Sequence, residues 1–241
     1  MREARSAGMA NPIAVVTGAS SGIGLASARR LASDGFDVVV AARRLDRLET
    51  LAKEIGGRAI RLDVTDAQSV AELAESVSEC KVLVNNAGCS LGVDRIADLD
   101  PEACLRMYEI NVLGTIRVTQ QLLPALRASG DARIVVITSL TGYQTYPGAA
   151  GYASAKYGQV AVADTLRKEM QGTPVQVIEI APGLVRTEFN LVRFGGDEKK
   201  AEEAYGEIQP LSADDVADCV SWAVAKPAGV NVELIKVLPN F

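Results

Sequence analysis

The chain has 241 residues, 25 Lys and Arg against 30 Asp and Glu, no histidine and a formal net charge of −5. The missing histidine excludes Ser-His-Asp triads and histidine metal sites, so acid–base work falls to Tyr, Lys, Asp, Glu or Cys, and no metal site is expected. The acidic balance argues against a general nucleic-acid binder, while 48% hydrophobic residues in a chain of this length can bury a sizeable core.

Short β-branched runs alternate with helical stretches from end to end. Strands are predicted over 13–17, 37–41, 58–62, 82–85, 132–138, 175–180 and 231–237, and helices near 22–33, 45–54, 66–78, 101–128, 152–171 and 213–225. Such alternation predicts an α/β fold: one doubly wound parallel sheet of about seven strands with helices on both faces, filling a single domain over 11–241. Residues 1–10 read as a disordered N-terminal extension, with Met9 an alternative start. They carry no apolar leader, and no apolar run approaches a membrane span, so a cytoplasmic protein is expected. Cys80, Cys89, Cys104 and Cys219 lack Cys-x-x-Cys spacing and read as reduced, mostly buried thiols. The segment 187–210 is polar and charged around Gly195-Gly196-Asp197 and follows a strand on the side where such sheets bind ligands. It is either a substrate lid of short helices or a solvated connection.

Three motifs carry chemistry. After the first strand, Thr17-Gly18-Ala19-Ser20-Ser21-Gly22-Ile23-Gly24 opens the first helix, where small residues let backbone N–H groups approach a pyrophosphate at the positive helix end. It is no Walker P-loop, since the Lys-Ser/Thr is absent. At the end of the second strand, where a selector of NAD places an acid, stand Ala42, Arg43 and Arg44. A guanidinium suits a 2′-phosphate better than a hydroxyl, which favours NADP; the alternative is a solvated helix start. Finally, Tyr152 and Lys156 are four apart on one helix face, with Ser139 upstream. A nearby ammonium favours the ionised phenol. A phenol working near neutrality needs its pKa lowered by roughly 2 to 3 units, about 3 to 4 kcal/mol.

In this order and at about this spacing, the glycine turn, Asp63-Val64, Asn85-Asn86-Ala87-Gly88, Asn111, Ser139, Tyr152, Lys156 and Pro182-Gly183 resemble the short-chain dehydrogenase/reductase family. The resemblance implies a Rossmann-type fold and an NADP(H)-dependent oxidoreductase acting on CH–OH groups. Tyr152 would exchange the proton at the substrate oxygen, Ser139 hydrogen-bond that oxygen, Lys156 hold the nicotinamide ribose and lower the tyrosine pKa, and Asn111 position a relaying water. Gly18, Ser20, Ser21, Gly22, Ile23, Gly24, Arg43, Arg44, Asp63, Val64, Asn86, Ala87, Gly88, Pro182, Gly183, Val185 and Thr187 would bind the cofactor, together with Tyr152 and Lys156. Asp63 would lie on the adenine side, Asn86 to Gly88 on the adenosine ribose, and Pro182, Gly183 and Thr187 beside the nicotinamide amide and pyrophosphate.

Downstream, Thr187-Glu188-Phe189, Val192-Arg193-Phe194, Lys200-Ala201-Glu202, Tyr205, Trp222 and Val230-Asn231-Val232 resemble the family's NADP-dependent 3-hydroxy acid dehydrogenases, also described as serine or allo-threonine dehydrogenases. A 3-hydroxy acid needs a cation for its carboxylate, and Arg193 or Arg186 could clamp it. Either could equally be a surface arginine paired with Glu188 or Asp197. A broad NADPH-dependent carbonyl reductase and a non-catalytic NADP-binding regulator are the alternatives. The resemblance also implies a homodimer or homotetramer joined through helices near 105–128 and 152–171, a small hydroxy or carbonyl substrate, and neither a nucleic-acid nor a membrane partner.

Overall fold

A computed structural model of the chain describes residues 11–240. The expectation of a disordered extension over 1–10 lies outside the described residues. In chain order the elements are β1 (Ile13–Thr17), α1 (Gly22–Ser33), β2 (Asp37–Ala42), α2 (Leu45–Ile55), β3 (Arg58–Arg61), α3 (Ala67–Glu75) and β4 (Val82–Asn85). Then come α4 (Pro101–Tyr108), a π turn (Glu109–Leu113), α5 (Gly114–Ala128), β5 (Ala132–Ile137), a 3₁₀ turn (Leu140–Gly142) and α6 (Ala150–Glu169). The chain closes with β6 (Val175–Pro182), α7 (Phe189–Arg193), α8 (Glu198–Glu203), α9 (Ala213–Val224) and β7 (Leu234–Val237).

All seven strands are parallel, in the order β3-β2-β1-β4-β5-β6-β7. This is a Rossmann-type sheet. Alternate residues of each strand serve opposite faces, so the core falls into two layers. Val15, Val39, Leu83, Ile134 and Val177 pack with Leu73 of α3 and Leu122 and Leu126 of α5, while Val16, Val40, Val84, Val135 and Ile178 pack with Leu31 of α1, Leu48 and Leu51 of α2 and Val220 of α9. The strand order reverses between β1 and β4, and at such a switch point the carboxyl ends of the strands splay into a crevice. The site lies there.

Three sequence expectations need correction. The helix expected over 101–128 is broken by the π turn, because Asn111 turns its side chain back to Met107 O at 2.7 Å and Cys89 O at 2.9 Å. α3 stops at Glu75, where the Ser76 hydroxyl donates to Leu73 O. β7 begins at Leu234, its first partner on β6 being Glu179. Of the cysteines, all free, Cys80 is buried and the other three are half-buried. No helix among the described residues is long and apolar enough to cross a membrane.

Candidate active site

A cleft of about 1120 Å³ runs along the carboxyl ends of the strands. Every residue assigned to catalysis or cofactor binding from sequence lines it except Gly24, and of the two substrate arginines only Arg193 does. At its first wall, Gly18 and Gly22 take φ of 65° and 54°. A Cβ on Gly18 would stand 2.8 Å from Asn86 Nδ2 and 2.9 Å from Ala87 Cα, a conformation and an approach that require glycine. Gly24 lies beneath, against the Gly18 carbonyl.

Asn86 braces this turn. Its amide donates to the carbonyls of Thr17 and Gly18 at 3.0 and 3.3 Å, while Asn86 N and Ala87 N both donate to Thr17 Oγ1 at 3.0 Å. Thr17, whose hydroxyl donates in turn to Val84 O, is the buried hub of the two loops. The first turn of α1 has neither a side-chain cap nor an acidic residue. Its unpaired N–H groups and dipole form an anion-binding end.

Two arginines reinforce that polarity. Arg44 donates to Ser20 Oγ from Nε and Nη2 at 3.1 and 3.0 Å and to Ser21 Oγ at 2.8 Å, and pairs with Glu188 at 2.9 Å. Arg47 pairs with the same carboxylate at 2.8 Å, and the two arginines hold Glu188 below the usual carboxylate range. Arg43 is exposed on the cleft wall with no hydrogen bond or ion pair among the described residues. Asp63 is a charged neighbour: burial alone would raise its pKa, but the Thr65 N–H and hydroxyl, with Arg43 and Arg61 beyond, outweigh burial and hold it low. A glycine turn that a Cβ would fill, an uncapped helix end and two arginines together fit a phosphate-bearing dinucleotide.

Deeper in the cleft, α6 presents Tyr152 and Lys156, both buried. Burial pushes the Tyr152 phenol up to about 12, only partly offset by a hydrogen bond with Ser139 and by Arg193, and pushes Lys156 down to about 7. Burial therefore sets the direction for the phenol, and the Lys156 ammonium lies 5.8 Å from its ring centroid. Lys156 Nζ donates to Ile137 O at 3.2 Å and to Gln159 Oε1 at 2.7 Å. Asn111 Nδ2 donates to Cys89 O and Met107 O and its Oδ1 accepts from Cys89 N, so its amide ties the π turn to the loop after β4.

The segment 187–210 forms the opposite wall through Thr187, Phe189 and Arg193. Thr187 packs on Gly22, and the Phe189 ring lies 5.5 Å from that of Tyr152. The Arg193 guanidinium lies 5.2 Å from the Tyr152 ring centroid and 5.0 Å from that of Phe189, and its Nε donates to Ser90 Oγ at 2.9 Å. It has no carboxylate partner among the described residues. Arg186 is placed otherwise: it is doubly bonded to Glu202 at 2.8 and 3.1 Å, stacked on Tyr205, and faces a separate shallow recess. At that location Arg186 stands outside the cleft.

Sequence reasoning missed Gln159, Thr115, Ser90 and the bridging role of Glu188. Gln159 could have been found, being three residues past Lys156 and so on the same helix face. Ser90 and Glu188 act through contacts 103 and 144 residues apart, which no local spacing reveals.

Fold and site define a dinucleotide-dependent oxidoreductase, and residues 12–194 match the family described as short chain dehydrogenase. The chain belongs to that family. It is 39% identical to sulfoacetaldehyde reductase 2 of Chromohalobacter salexigens, with 95% of this chain and 94% of the relative covered. It is 34% identical to an NADP-dependent 3-hydroxy acid dehydrogenase of Schizosaccharomyces pombe, covering 94% and 92%. The closed form of a serine dehydrogenase complexed with NADP⁺ superposes with a TM-score of 0.90 at 34% identity, covering 93% and 94%.

Proposed function

We propose that the protein is a cytoplasmic, NADP(H)-dependent oxidoreductase that moves a hydride between the nicotinamide and a small 3-hydroxy acid or its carbonyl counterpart. The observation that carries the substrate class is Arg193: a guanidinium with no acidic partner among the described residues, stacked beside the Tyr152 phenol at the substrate end of the cleft. A carboxylate entering there meets a planar fork able to bond it bidentately. The serine dehydrogenase and 3-hydroxy acid dehydrogenase among its relatives act in keeping with that class.

Bound in the cleft, NADP(H) supplies the hydride acceptor or donor. Tyr152 moves the proton at the substrate oxygen. Its phenol, held protonated by burial, is ready to donate during reduction; oxidation requires that Lys156, Arg193 and the positive end of the cleft make the phenolate accessible. Ser139 Oγ accepts from Thr141 N at 3.1 Å and directs its own hydrogen to the same oxygen. Arg43, with no hydrogen bond or ion pair among the described residues, receives the 2′-phosphate, and Arg44 stands over the glycine turn. The segment 187–210 acts as a lid that excludes water and brings Arg193 over the substrate. The exposed Leu105, Tyr108 and Tyr157 on α4 and α6 suit the helix-to-helix contacts of a homodimer or homotetramer.

A second reading of the anion is favoured by the relative at 39% identity, a sulfoacetaldehyde reductase: a sulfonate offers the same guanidinium three oxygens in place of two. Nicotinamide absorbance, followed with NADP⁺ and NAD⁺ against 3-hydroxy acids, hydroxy sulfonates and neutral alcohols, tests both. Turnover confined to NADP⁺ and an acid is expected; turnover of neutral alcohols alone contradicts the anion site.

A further inference from the structure

Lys156 does not end at the phenol. A buried chain of side chains runs away from it through the molecule: Lys156 Nζ donates to Gln159 Oε1 at 2.7 Å, Gln159 Nε2 donates to Thr115 Oγ1 at 2.9 Å, and Thr115 Oγ1 donates to the Asn111 carbonyl at 2.8 Å. Gln159 and Asn111 are 0% exposed and Thr115 3%. Every hydrogen points the same way, from the ammonium toward the π turn. Each donor therefore polarises the next, and the negative end of the Gln159 amide is turned onto the charge. The ammonium sets the orientation of the amide, since reversing it would put its NH₂ against Lys156 Nζ.

We propose that Gln159, braced by Thr115, is a positioning residue for the reaction: its amide oxygen fixes the Lys156 ammonium on the phenol side of the cleft and favours its charged form. This rests on the proposed oxidoreductase function. Gln159 anchors rather than relays, because its Nε2 has no lone pair to accept a proton, so protons leave Lys156 by another route. Two of the three ammonium donors are taken, by Ile137 O and Gln159, which leaves one for the cleft. No other side-chain oxygen bonds the ammonium among the described residues.

The groups that bear on its charge come from several elements. Tyr152 lies on its own helix; Cys89 beyond β4 and Glu179 on β6 both favour the charged form. Glu179 is itself bonded by the Thr138 and Tyr143 hydroxyls at 2.7 Å. α4 and the π turn add Arg106 and Glu109 to the cleft wall, Glu109 paired with Arg117 at 2.7 Å, and α7 adds Arg193 over the phenol.

Carbon-13 NMR of Lys156 Cε in the cofactor-free protein, the resonance assigned by its loss in Lys156→Met, reads the charge without turnover. Losing a charged hydrogen bond in Gln159→Leu is expected to lower the titration midpoint by about 1 to 2 pH units, and Gln159→Glu to raise it by about 1 or more. The alkaline limb of kcat/KM for oxidation should move in the same two directions. A residue that merely fills space would leave the Gln159→Leu midpoint on the parent's, and that result overturns the proposal. Thr115→Val, nearly isosteric, should give a smaller fall; if Gln159→Leu fails to fold, an unmoved midpoint in Thr115→Val overturns it instead. Shifted midpoints in a protein that transfers no hydride with any substrate of the panel sink the proposed function and not the anchoring; normal turnover with unmoved midpoints does the reverse.

Discussion

Tyr152 illustrates how far a residue's chemistry depends on what surrounds it. Spacing alone places an ammonium near the phenol, but the sign of the resulting shift depends on burial, and burial wins: the phenol rises to about 12. No sequence pattern reports the depth of a side chain in a cleft. Tyr152→Phe is expected to abolish turnover while leaving NADPH affinity nearly intact, measured by steady-state rates and by fluorescence titration, since only the proposed proton-transfer group is removed. Activity above a few per cent would assign the proton elsewhere. At the other end of the cleft, Arg43→Ala should weaken NADPH binding by about 1.5 to 3 kcal/mol and scarcely change NADH, the range for a hydrogen bond to a charged group. Equal losses for both cofactors would reduce Arg43 to a support of the loop; a loss confined to Arg44→Ala would move phosphate recognition one residue along.

At the scale of elements, the sequence was most legible where one force dominates. β1 and β4 are β-branched runs buried on both faces and closed by a turn, and both ends of each were readable. The π turn inside 101–128 was not, because helical periodicity passes through it unchanged; its cause is the tertiary contact of Asn111 with Cys89. The choice between Arg186 and Arg193 was likewise closed to sequence, since it depends on Glu202, folded back on Arg186 by α8. The glycine turn gives the sharpest test at this scale. Gly18→Ala combines a positive φ with a contact to the Ala87 backbone, so a loss of about 1 to 3 kcal/mol is expected, or several degrees in Tm by calorimetry, with weaker cofactor binding. A variant as stable as the parent would show that the β1–α1 turn has room to shift.

For the whole molecule, the site is held at a cost to stability that pH should expose. Lys156 titrates near 7 when folded, against 10.5 for its ordinary value. Between those values the unfolded chain binds more protons, so this group adds stability as pH rises from 7 toward 10.5, and its penalty is fully present below 7. Lys156→Met should therefore gain in Tm relative to the parent below pH 7, with the gap closing as pH rises through that window; a gap constant with pH would mean that Lys156 is not discharged in the folded protein.

The Rossmann-type sheet, the cleft and the family were all legible in the sequence because they follow from strand alternation and an ordered set of motifs, whereas the proposed anion site rests on one guanidinium placed by the segment 187–210. The most direct measurement is kcat/KM for a small 3-hydroxy acid and for its methyl ester with NADP⁺, in the parent and in Arg193→Ala. The parent should prefer the acid and Arg193→Ala should lose that preference, chiefly through a higher KM if the arginine binds ground and transition states alike. Equal rates on acid and ester in the parent would contradict the anion site and leave a general carbonyl reductase.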